Sequence, residues 1–531
     1  MRDPRTILPA LCVVLSLPLA PRACHAAPPQ FVPVGDPLQA ELRVLDLYRP
    51  SPGAGRITLP HLDATPLQAR ELLLPPHGND AEWLALPTGA RGIAVRRVLR
   101  ALARDAAFDF HRDEFPRPYL LEGRWPEVPA RFELSAGLEG ERDMLRGDAD
   151  PASRRWIDGS GVHVRTGVQV DRWFAYSHLF FGELHGVRAF SDALVTGTDV
   201  AASTEESYMG YTAGDLWSAQ IGRSRWNWGP GEEGTLLLSR TSAPLTGLML
   251  HARLAPLNVD GFVFNATVEP GRGEQLAAHR IEWQAGDGLR LGVSEAARYK
   301  AGGWQGLYLA GVVPYAMVQK LLDQDHRDST DALRNNVMLS FDASLRVADG
   351  SRVYGEVLID DLHARTSANP NKYGWQAGWS GAGDVSGTRV SWNAEYTWMS
   401  RYVYTSYFGR SFTAQDLPLG FPTGPDSRRF RTRISWDPVV DWQLSAIAAR
   451  TDAGAEGLTD PFVFGQPVPD VATLAGVVQR TRTLEGVLRW WPAAGADLSL
   501  RAGREWTENA NHVAGAALKR WRGALAFTLT R

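Results

Sequence analysis

The sequence predicts an all-β protein: a large transmembrane antiparallel β-barrel of about 18 strands, preceded by a small, partly helical N-terminal region on the periplasmic side. Three observations point there. The chain opens with a secretory signal. Beyond it, apolar and polar residues alternate with a period of two across about 400 residues. No apolar run after the signal reaches the roughly 18 residues that a membrane helix requires. The longest, residues 307–318, is interrupted by Pro314. If this chain crosses a membrane, it does so with strands.

The signal occupies residues 1–26. Arg2 and Arg5 precede an apolar stretch from Ile7 to Leu19 and the small-residue region Ala23-Cys24-His25-Ala26-Ala27, with cleavage expected after Ala26. Pro9, Pro18 and the short apolar core argue against a retained anchor, and Pro21-Arg22-Ala23 poorly suits lipidation of Cys24. Both cysteines, Cys12 and Cys24, lie in the signal, so the mature chain has none although it is exported to a place where disulfides form. The signal carries Arg2, Arg5 and Arg22 against Asp3, so the mature net charge is −5 rather than −3. Nothing in that balance suggests a nucleic-acid partner.

Residues 27–130 differ in texture from the rest of the mature chain. Stretches 38–48 and 93–107 have helical spacing, with Val95, Val98, Leu99 and Leu102 on one side and Arg96, Arg97, Arg100 and Arg104 around them. Proline-rich connections such as Leu74-Pro75-Pro76-His77-Gly78 separate the two. The arginines read as a solvated face or as a brace against acidic barrel turns.

Residues 131–531 carry the strand pattern. In 162–171 Val162, Val164, Val168 and Val170 share one face. Phe430, Thr432, Ile434 and Trp436 alternate against Arg431, Arg433 and Ser435, and Trp442, Leu444, Ala446 and Ala448 form the next such series. Stretches 484–491 and 497–503 flank Pro492-Ala493-Ala494-Gly495-Ala496, a tight connection between antiparallel strands. In the last strand Leu525, Phe527 and Leu529 share a face. A soluble all-β chain of this size usually splits into linked units, yet no linker interrupts the region and no fixed-period repeat organises it. At roughly 22 residues per strand and connection, 400 residues give about 18 strands, an even number within the bacterial range. Aromatics are 10% of the chain, with 19 tryptophans. Trp217, Trp375, Trp379, Trp398, Trp490, Trp491 and Trp506 fall near strand ends, as in interfacial girdles. A tryptophan-rich sugar-binding sandwich is the alternative.

The most distinctive block is 223–250, R-S-R-W-N-W-G-P-G-E-E-G-T-L-L-L-S-R-T-S-A-P-L-T-G-L-M-L. Gly229 and Gly231 flank Pro230 and permit a sharp turn, and Trp226 and Trp228, two apart, share a face of an extended backbone. The block predicts a tight turn or inward-folded loop against which both tryptophans pack. Further along stand R-V-Y-G-E-V-L-I-D-D-L at 352–362, P-N-K-Y-G at 370–374, N-A-E-Y-T-W-M-S-R-Y-V-Y at 393–404 and L-G-F-P-T-G-P-D at 419–426. Together, and in this order, these segments resemble the Wzi family of outer-membrane capsule-assembly proteins. The resemblance spans about 215–440. It departs from the family in three places: the N-terminal W-P element is matched only loosely by Arg124-Trp125-Pro126, the N-terminal helical region does not align readily, and the chain ends in Thr530-Arg531 rather than an aromatic, leaving Phe527 to serve as the insertion signal.

The resemblance implies a monomeric barrel in outer-membrane lipid that assists assembly or surface attachment of capsular or extracellular polysaccharide by lectin-like binding, with a largely plugged lumen. The candidate binding loops are 409–429 and 452–474, long, Pro/Gly-punctuated stretches carrying Phe412, Phe421, Asp426, Asp460, Phe462 and Phe464. The competing expectation is that these loops fold inward and fill the lumen. A sugar or anion channel and a barrel enzyme acting on lipid or glycan are the alternatives. Against an enzyme, the carboxylates of Asp360-Asp361 and Glu232-Glu233 are adjacent, so on a strand they point to opposite faces. Ser177-His178 and His163 lie in no nucleophile motif, and the 12 histidines show no metal-ligand spacing, so no cofactor or metal is expected. Asp360 and Asp361 are expected to brace Arg or Lys inside a polar lumen.

Overall fold

The computed structural model describes residues 37–48, 89–102, 121–124, 129–147, 155–170, 172–183, 193–194, 200–213 and 216–530, apart from 270–272, 287, 302, 312, 324–334, 363–368, 408, 416, 464, 469–471 and 494. The expected signal at 1–26 and the Leu74–Gly78 connection lie outside these residues. Eighteen antiparallel strands close into a barrel. In chain order they are β1 (Pro129–Gly147), β2 (Arg155–Val170), β3 (Trp173–Glu183), β4 (Val200–Ala213), β5 (Trp217–Ser224), β6 (Leu245–Leu254), β7 (Val259–Glu269), β8 (Glu274–Gln284) and β9 (Leu289–Lys300). They continue with β10 (Asn336–Ala348), β11 (Ser351–Asp361), β12 (Lys372–Val385), β13 (Thr388–Met399), β14 (Ser427–Asp437), β15 (Trp442–Ala453), β16 (Gln479–Ala493), β17 (Ala496–Glu508) and β18 (Ala517–Thr530). The seam is the pairing of β1 with β18, from Ser135 opposite Thr530 to Gly147 opposite Leu518. Closure leaves no long sheet edge unpaired.

The amphipathicity of the wall is inverted relative to a soluble sandwich. Along β10, Met338, Ser340, Asp342 and Ser344 are buried toward the lumen, while Phe341 and Leu345 are exposed on the outside. The expected series face the same way: Val162 and Val168 on β2, Phe430, Ile434 and Trp436 on β14, and Leu525, Phe527 and Leu529 on β18 are all exposed. Large apolar side chains directed outward around a closed barrel need hydrocarbon around them. Among the described residues no helix is long and apolar enough to cross a membrane.

The connections sort by length. Those after β2, β4, β6, β8, β10, β12, β14 and β16 are tight turns such as 349–350 and 386–387. The opposite end carries the long ones, 225–244, 301–335, 400–426 and 454–478. Short turns mark the periplasmic end of such barrels. At that end Trp173, Trp217, Trp283, Trp436, Trp442 and Trp490 stand exposed as a girdle, with Trp442 stacked on Trp490 at 5.3 Å between centroids. Near the other end Arg504 lies between the rings of Trp506 and Trp521, 4.8 and 4.6 Å from their centroids. Trp491 differs from the girdle expected of it: its indole donates to Asp497 and Arg97 covers its ring at 4.2 Å.

Two helices, α1 (Pro37–Leu47) and α2 (Gly89–Leu102), meet the short-turn end. They occupy the two stretches whose spacing predicted helix. The Leu47 carbonyl accepts from Gly350 N, and Arg97 donates to the carbonyls of Val440 and Trp442. Arg97 is therefore a brace against the barrel turns rather than a solvated residue. The apolar run 307–318 also has a structural reading. Glycine- and proline-broken, it folds as α3 (Gly306–Leu309) and the start of α4 (Tyr315–Asp323), which lie against the outer wall. Arg280 and Ser294 face the lumen, so their neighbours His279 and Glu295 face out. Glu295 accepts from the N-terminal amides Tyr315 N and Ala316 N at 2.6 and 3.1 Å, and the His279 ring packs 4.2 Å from that of Tyr315. A carboxylate on the lipid-facing side is costly when bare; here a helix N-terminus covers it.

A closed barrel resists detergent unfolding, so the mature protein is expected to run faster on a denaturing gel unheated than boiled, with a strand-dominated circular dichroism spectrum. A single heat-independent band, or a helix-rich spectrum, would contradict this architecture.

Candidate functional site

The long-loop end does not present its loops as open flaps. Connection 225–244 folds into the barrel. Trp226 packs 4.9 Å from Phe264 and Trp228 packs 6.3 Å from Phe262, and those two phenylalanines alternate on the lumen face of β7. The two tryptophans thus share a face, as their spacing predicts. Trp228 N donates to Leu238 O at 2.9 Å, closing a small internal hairpin. Gly229 has φ +144°, and a Cβ on Gly231 would sit 2.1 Å from Gly234 O. Both positions admit only glycine without a backbone shift.

The wall receives this loop with polar side chains. Glu356 accepts from Leu236 N at 3.0 Å, Gln376 donates to Gly234 O at 3.1 Å, and Glu395 accepts from Glu232 N at 2.9 Å and from the Tyr354 hydroxyl at 2.8 Å. Burial pushes the Glu232 carboxyl up, but Arg43 of α1, Arg352 and Arg240 outweigh it and hold the group below the usual carboxylate range. Arg43 of α1 is thus close enough to Glu232 of the inward loop to act on its charge.

Loops 400–426 and 454–478 are clamped onto this plug. Asp360 accepts from Tyr404 N at 2.8 Å, the Tyr404 hydroxyl donates to Leu236 O and accepts from Phe421 N at 3.0 Å, and Phe412 stacks on Tyr404 with centroids 6.1 Å apart. Asp426 accepts from Leu474 N, from Ala475 N at 3.1 Å and from Glu456 N at 3.4 Å, stapling one loop to the other. Phe462 packs edge-on to Tyr402, and Arg401 bonds Glu456 at 2.8 Å. Tyr402, Tyr404, Asp426 and Leu474 all have left-handed backbone, with φ of 65°, 70°, 52° and 64°. Such conformations persist only where the surroundings over-determine them.

The expected binding set divides by burial. Phe412, Phe421 and Asp426 are fully buried and Phe462 is nearly so. In this structure they pack or bond within and between the loops. Asp460 is exposed, accepting from Gly457 N at 2.9 Å. Phe464 lies outside the described residues. Asp361 pairs with Lys372 Nζ at 2.8 Å, and Asp360 anchors loop backbone. His163 and His178 share a hydrogen bond of 2.9 Å on the lumen side, and Ser177, adjacent to His178 on a strand, points to the other face. Among the described residues no group of His, Cys, Asp and Glu has the arrangement to hold a metal.

The plug fills only part of the lumen. On β8–β13 the inward side chains, among them Arg280, Ser340, Glu356, Gln376 and Glu395, are buried. On β14–β17 the inward residues Arg431, Arg433, Thr483, Glu485, Val487, Arg489 and Glu505 are partly exposed and Arg501 is exposed, so water reaches this strip of the wall. The sequence signal for it was the alternation of Arg431 and Arg433 with Phe430, Thr432 and Ile434.

Comparison with known proteins agrees with this architecture. The outer-membrane protein Wzi involved in group 1 capsule assembly in Escherichia coli, described as a carbohydrate-binding β-barrel, shares the fold at 12% identity and a TM-score of 0.60, over 93% of this chain and 98% of that one. A BenF-like porin from Pseudomonas fluorescens Pf-5 (8% identity, TM-score 0.43, 76% and 99% of the two chains) and OpdQ of Pseudomonas aeruginosa (9%, 0.41, 75% and 98%) match more loosely. No curated protein matches the sequence. The family description "Capsule assembly protein Wzi" fits residues 148–519, from the connection after β1 into β18, and the chain belongs to that family.

Proposed function

We propose that this outer-membrane barrel, working as a monomer in outer-membrane lipid, holds surface polysaccharide during capsule assembly by lectin-like binding, without chemical turnover. The observation that carries the reading is the build of the long-loop end. Loops 400–426 and 454–478 are braced to each other by Asp426 and Arg401, the first is tied to the wall through Tyr404 and Asp360, and the stretch around Asp460, Gly465 and Gln466 stands exposed on this rim. A rim that is ordered before binding loses less entropy on gripping a flexible glycan. Exposed carboxylate and amide groups on it can hydrogen-bond sugar hydroxyls. The carbohydrate binding described for the Escherichia coli protein supports the same ligand class.

A sugar or anion channel is disfavoured by α1 and α2, which bond to the turns at the periplasmic mouth. The loop reading narrows to the tip between the clamps. Replacing residues 457–468 by a short Gly-Ser bridge retains Glu456, Thr473 and Ala475, and should leave a folded, heat-modifiable barrel while capsule glycan appears in the medium. If glycan stays on cells carrying the trimmed barrel, while loss of the whole protein releases it, the grip lies elsewhere.

A further inference from the structure

The arginines of the barrel fall into two classes. On the packed side Arg280 bonds Asp342 at 2.6 Å and Glu282 at 3.2 Å, Arg290 bonds Asp46 at 2.7 Å, Arg298 bonds Glu269 at 3.0 Å, and Arg389 bonds Asp437 at 2.6 Å, so each has a carboxylate partner. On the open strip Arg433, Arg489 and Arg501 do not. Arg433 hydrogen-bonds only the hydroxyls of Ser435 and Ser445, each at 3.3 Å, and the like charges of Arg489 and Arg431 bear on it more than the carboxylates of Glu232 and Asp437. Arg431 lies 3.8 Å from Glu233, a carboxylate already engaged by Arg429 at 2.8 Å. Arg489 and Arg501 form no ion pair among the described residues. Two carboxylates face the strip, Glu485, 3.9 Å from Arg522, and Glu505. The balance is positive.

The register arranges these groups as a ladder. Arg489 lies opposite Ser499 and Gln443. One inward step up, Ser435, Ser445, Val487 and Arg501 form a row; then come Arg433 with Glu485, Arg431 with Thr483 and Glu505, and Arg429 with Thr451, Thr481 and Thr507. Four steps of two residues span about 26 Å along the strands. At the ladder's short-turn end lies Trp491, whose ring is covered by Arg97. Like charges that outnumber their counter-charges repel, whereas the packed half of the same barrel neutralises Arg280, Arg290, Arg298 and Arg389 with carboxylates of its own.

We propose that this lumenal strip binds the carboxylate groups of an acidic saccharide, a hexuronate-bearing oligosaccharide, with Arg433, Arg489 and Arg501 as the anion-binding groups. Guanidinium forks bind carboxylates in bidentate fashion. The serine and threonine hydroxyls between the rungs can exchange hydrogen bonds with sugar hydroxyls. The proposal deepens the polysaccharide reading and rests on it: the rim would grip the chain and the strip would select for charge.

The test is calorimetric titration of the purified barrel in detergent with an oligogalacturonate, and with a neutral oligogalactose of equal length. The intact protein should bind the acidic oligomer more tightly than the neutral one, and the difference should shrink as salt rises. Replacing Arg433, Arg489 and Arg501 together by Met should weaken the acidic oligomer by about tenfold or more and leave the neutral one unchanged. The exposed single change Arg501→Gln provides a milder variant, with heat-modifiable mobility as the folding control for both. Unaltered acidic binding in the triple variant overturns the strip as the site. Equal binding of the two oligomers by the intact protein overturns the charge selection but leaves the glycan-holding function standing. Acetate competing as well as the oligomer would reduce the strip to a simple anion site and overturn the saccharide assignment.

Discussion

Replacing Gly229 and Gly231 together by Val is expected to abolish seating of the inward loop and to reduce folded barrel in the membrane severely. At Gly229 the φ of +144° is closed to a β-branched residue, and a Cβ there would meet Glu356 Oε2 at 2.8 Å and Thr235 Cγ2 at 2.9 Å. At Gly231 the obstruction is backbone, Gly234 O at 2.1 Å, together with Gln376 Oε1 at 2.3 Å, so no rotamer change relieves it. Strain of this kind costs about 1–3 kcal/mol per position. Displacing the loop adds more. Trp226 and Trp228 leave Phe262 and Phe264, and Glu356, Gln376 and Glu395 lose their backbone partners inside the barrel. The measurement is the heat-modifiable fraction of the variant in outer-membrane preparations. Normal assembly of the double variant would show that the Trp-Gly-Pro-Gly segment is not structural.

The strand wall was legible because lipid and lumen impose opposite demands on alternate residues. The outward series Val162–Val168, Phe430–Trp436 and Leu525–Leu529 were readable as faces, and the length of the patterned region, at roughly 22 residues per strand and connection, gave the strand number. The two helical stretches were readable from their period; α1 begins and ends one residue before the expected stretch and α2 begins four residues before it, while residues 103–107 lie outside the described residues. Loop direction was not legible. Phe412 and Phe421 sit in Pro- and Gly-rich segments that look like surface connections, yet they belong to a core that has no periodic signature because loop backbone has no fixed period. One trace of that core does exist in the wall. On β7 and β8, Phe262, Phe264, Leu276 and Ala278 are apolar on the lumen side while Val263 and Ile281 are apolar outside. A barrel strand apolar on both faces needs something apolar inside it, and that pattern marks the side where the plug rests. Asp426 was singled out as a residue of consequence, but its pairing with Leu474 and Ala475, about 48 residues away, is a long-range fact that spacing cannot carry.

Removing one carboxylate from the short-turn end should turn a poorly conducting barrel into a channel. Glu41 of α1, Arg97 of α2, Arg389 of β13 and Asp437 of β14 form a closed ring of alternating charge: Arg97–Glu41 2.9 Å, Glu41–Arg389 2.9 Å, Arg389–Asp437 2.6 Å and Asp437–Arg97 2.7 Å. All four side chains are buried or nearly so. Glu41→Gln leaves two guanidiniums facing a single carboxylate away from bulk water, a loss of about 3–5 kcal/mol when a buried pair is broken. The helices would then undock from the turns, and single-channel conductance in a planar bilayer should rise well above that of the intact protein. Acid should act in the same direction. Burial would raise the Glu41 carboxyl, but Arg389 and Arg97 outweigh it and bring it from the ordinary 4.5 to about 2. A depressed carboxylate stabilises the docked state fully above its unfolded value and loses that contribution as pH falls through its folded one. Conductance of the intact barrel should therefore stay low from neutral pH to about 4.5 and climb as pH approaches 2, whereas the Gln variant should conduct throughout. If the variant stays as quiet as the intact protein while remaining heat-modifiable, the four-charge ring is not what closes the periplasmic mouth, and the inward loop alone must close the lumen.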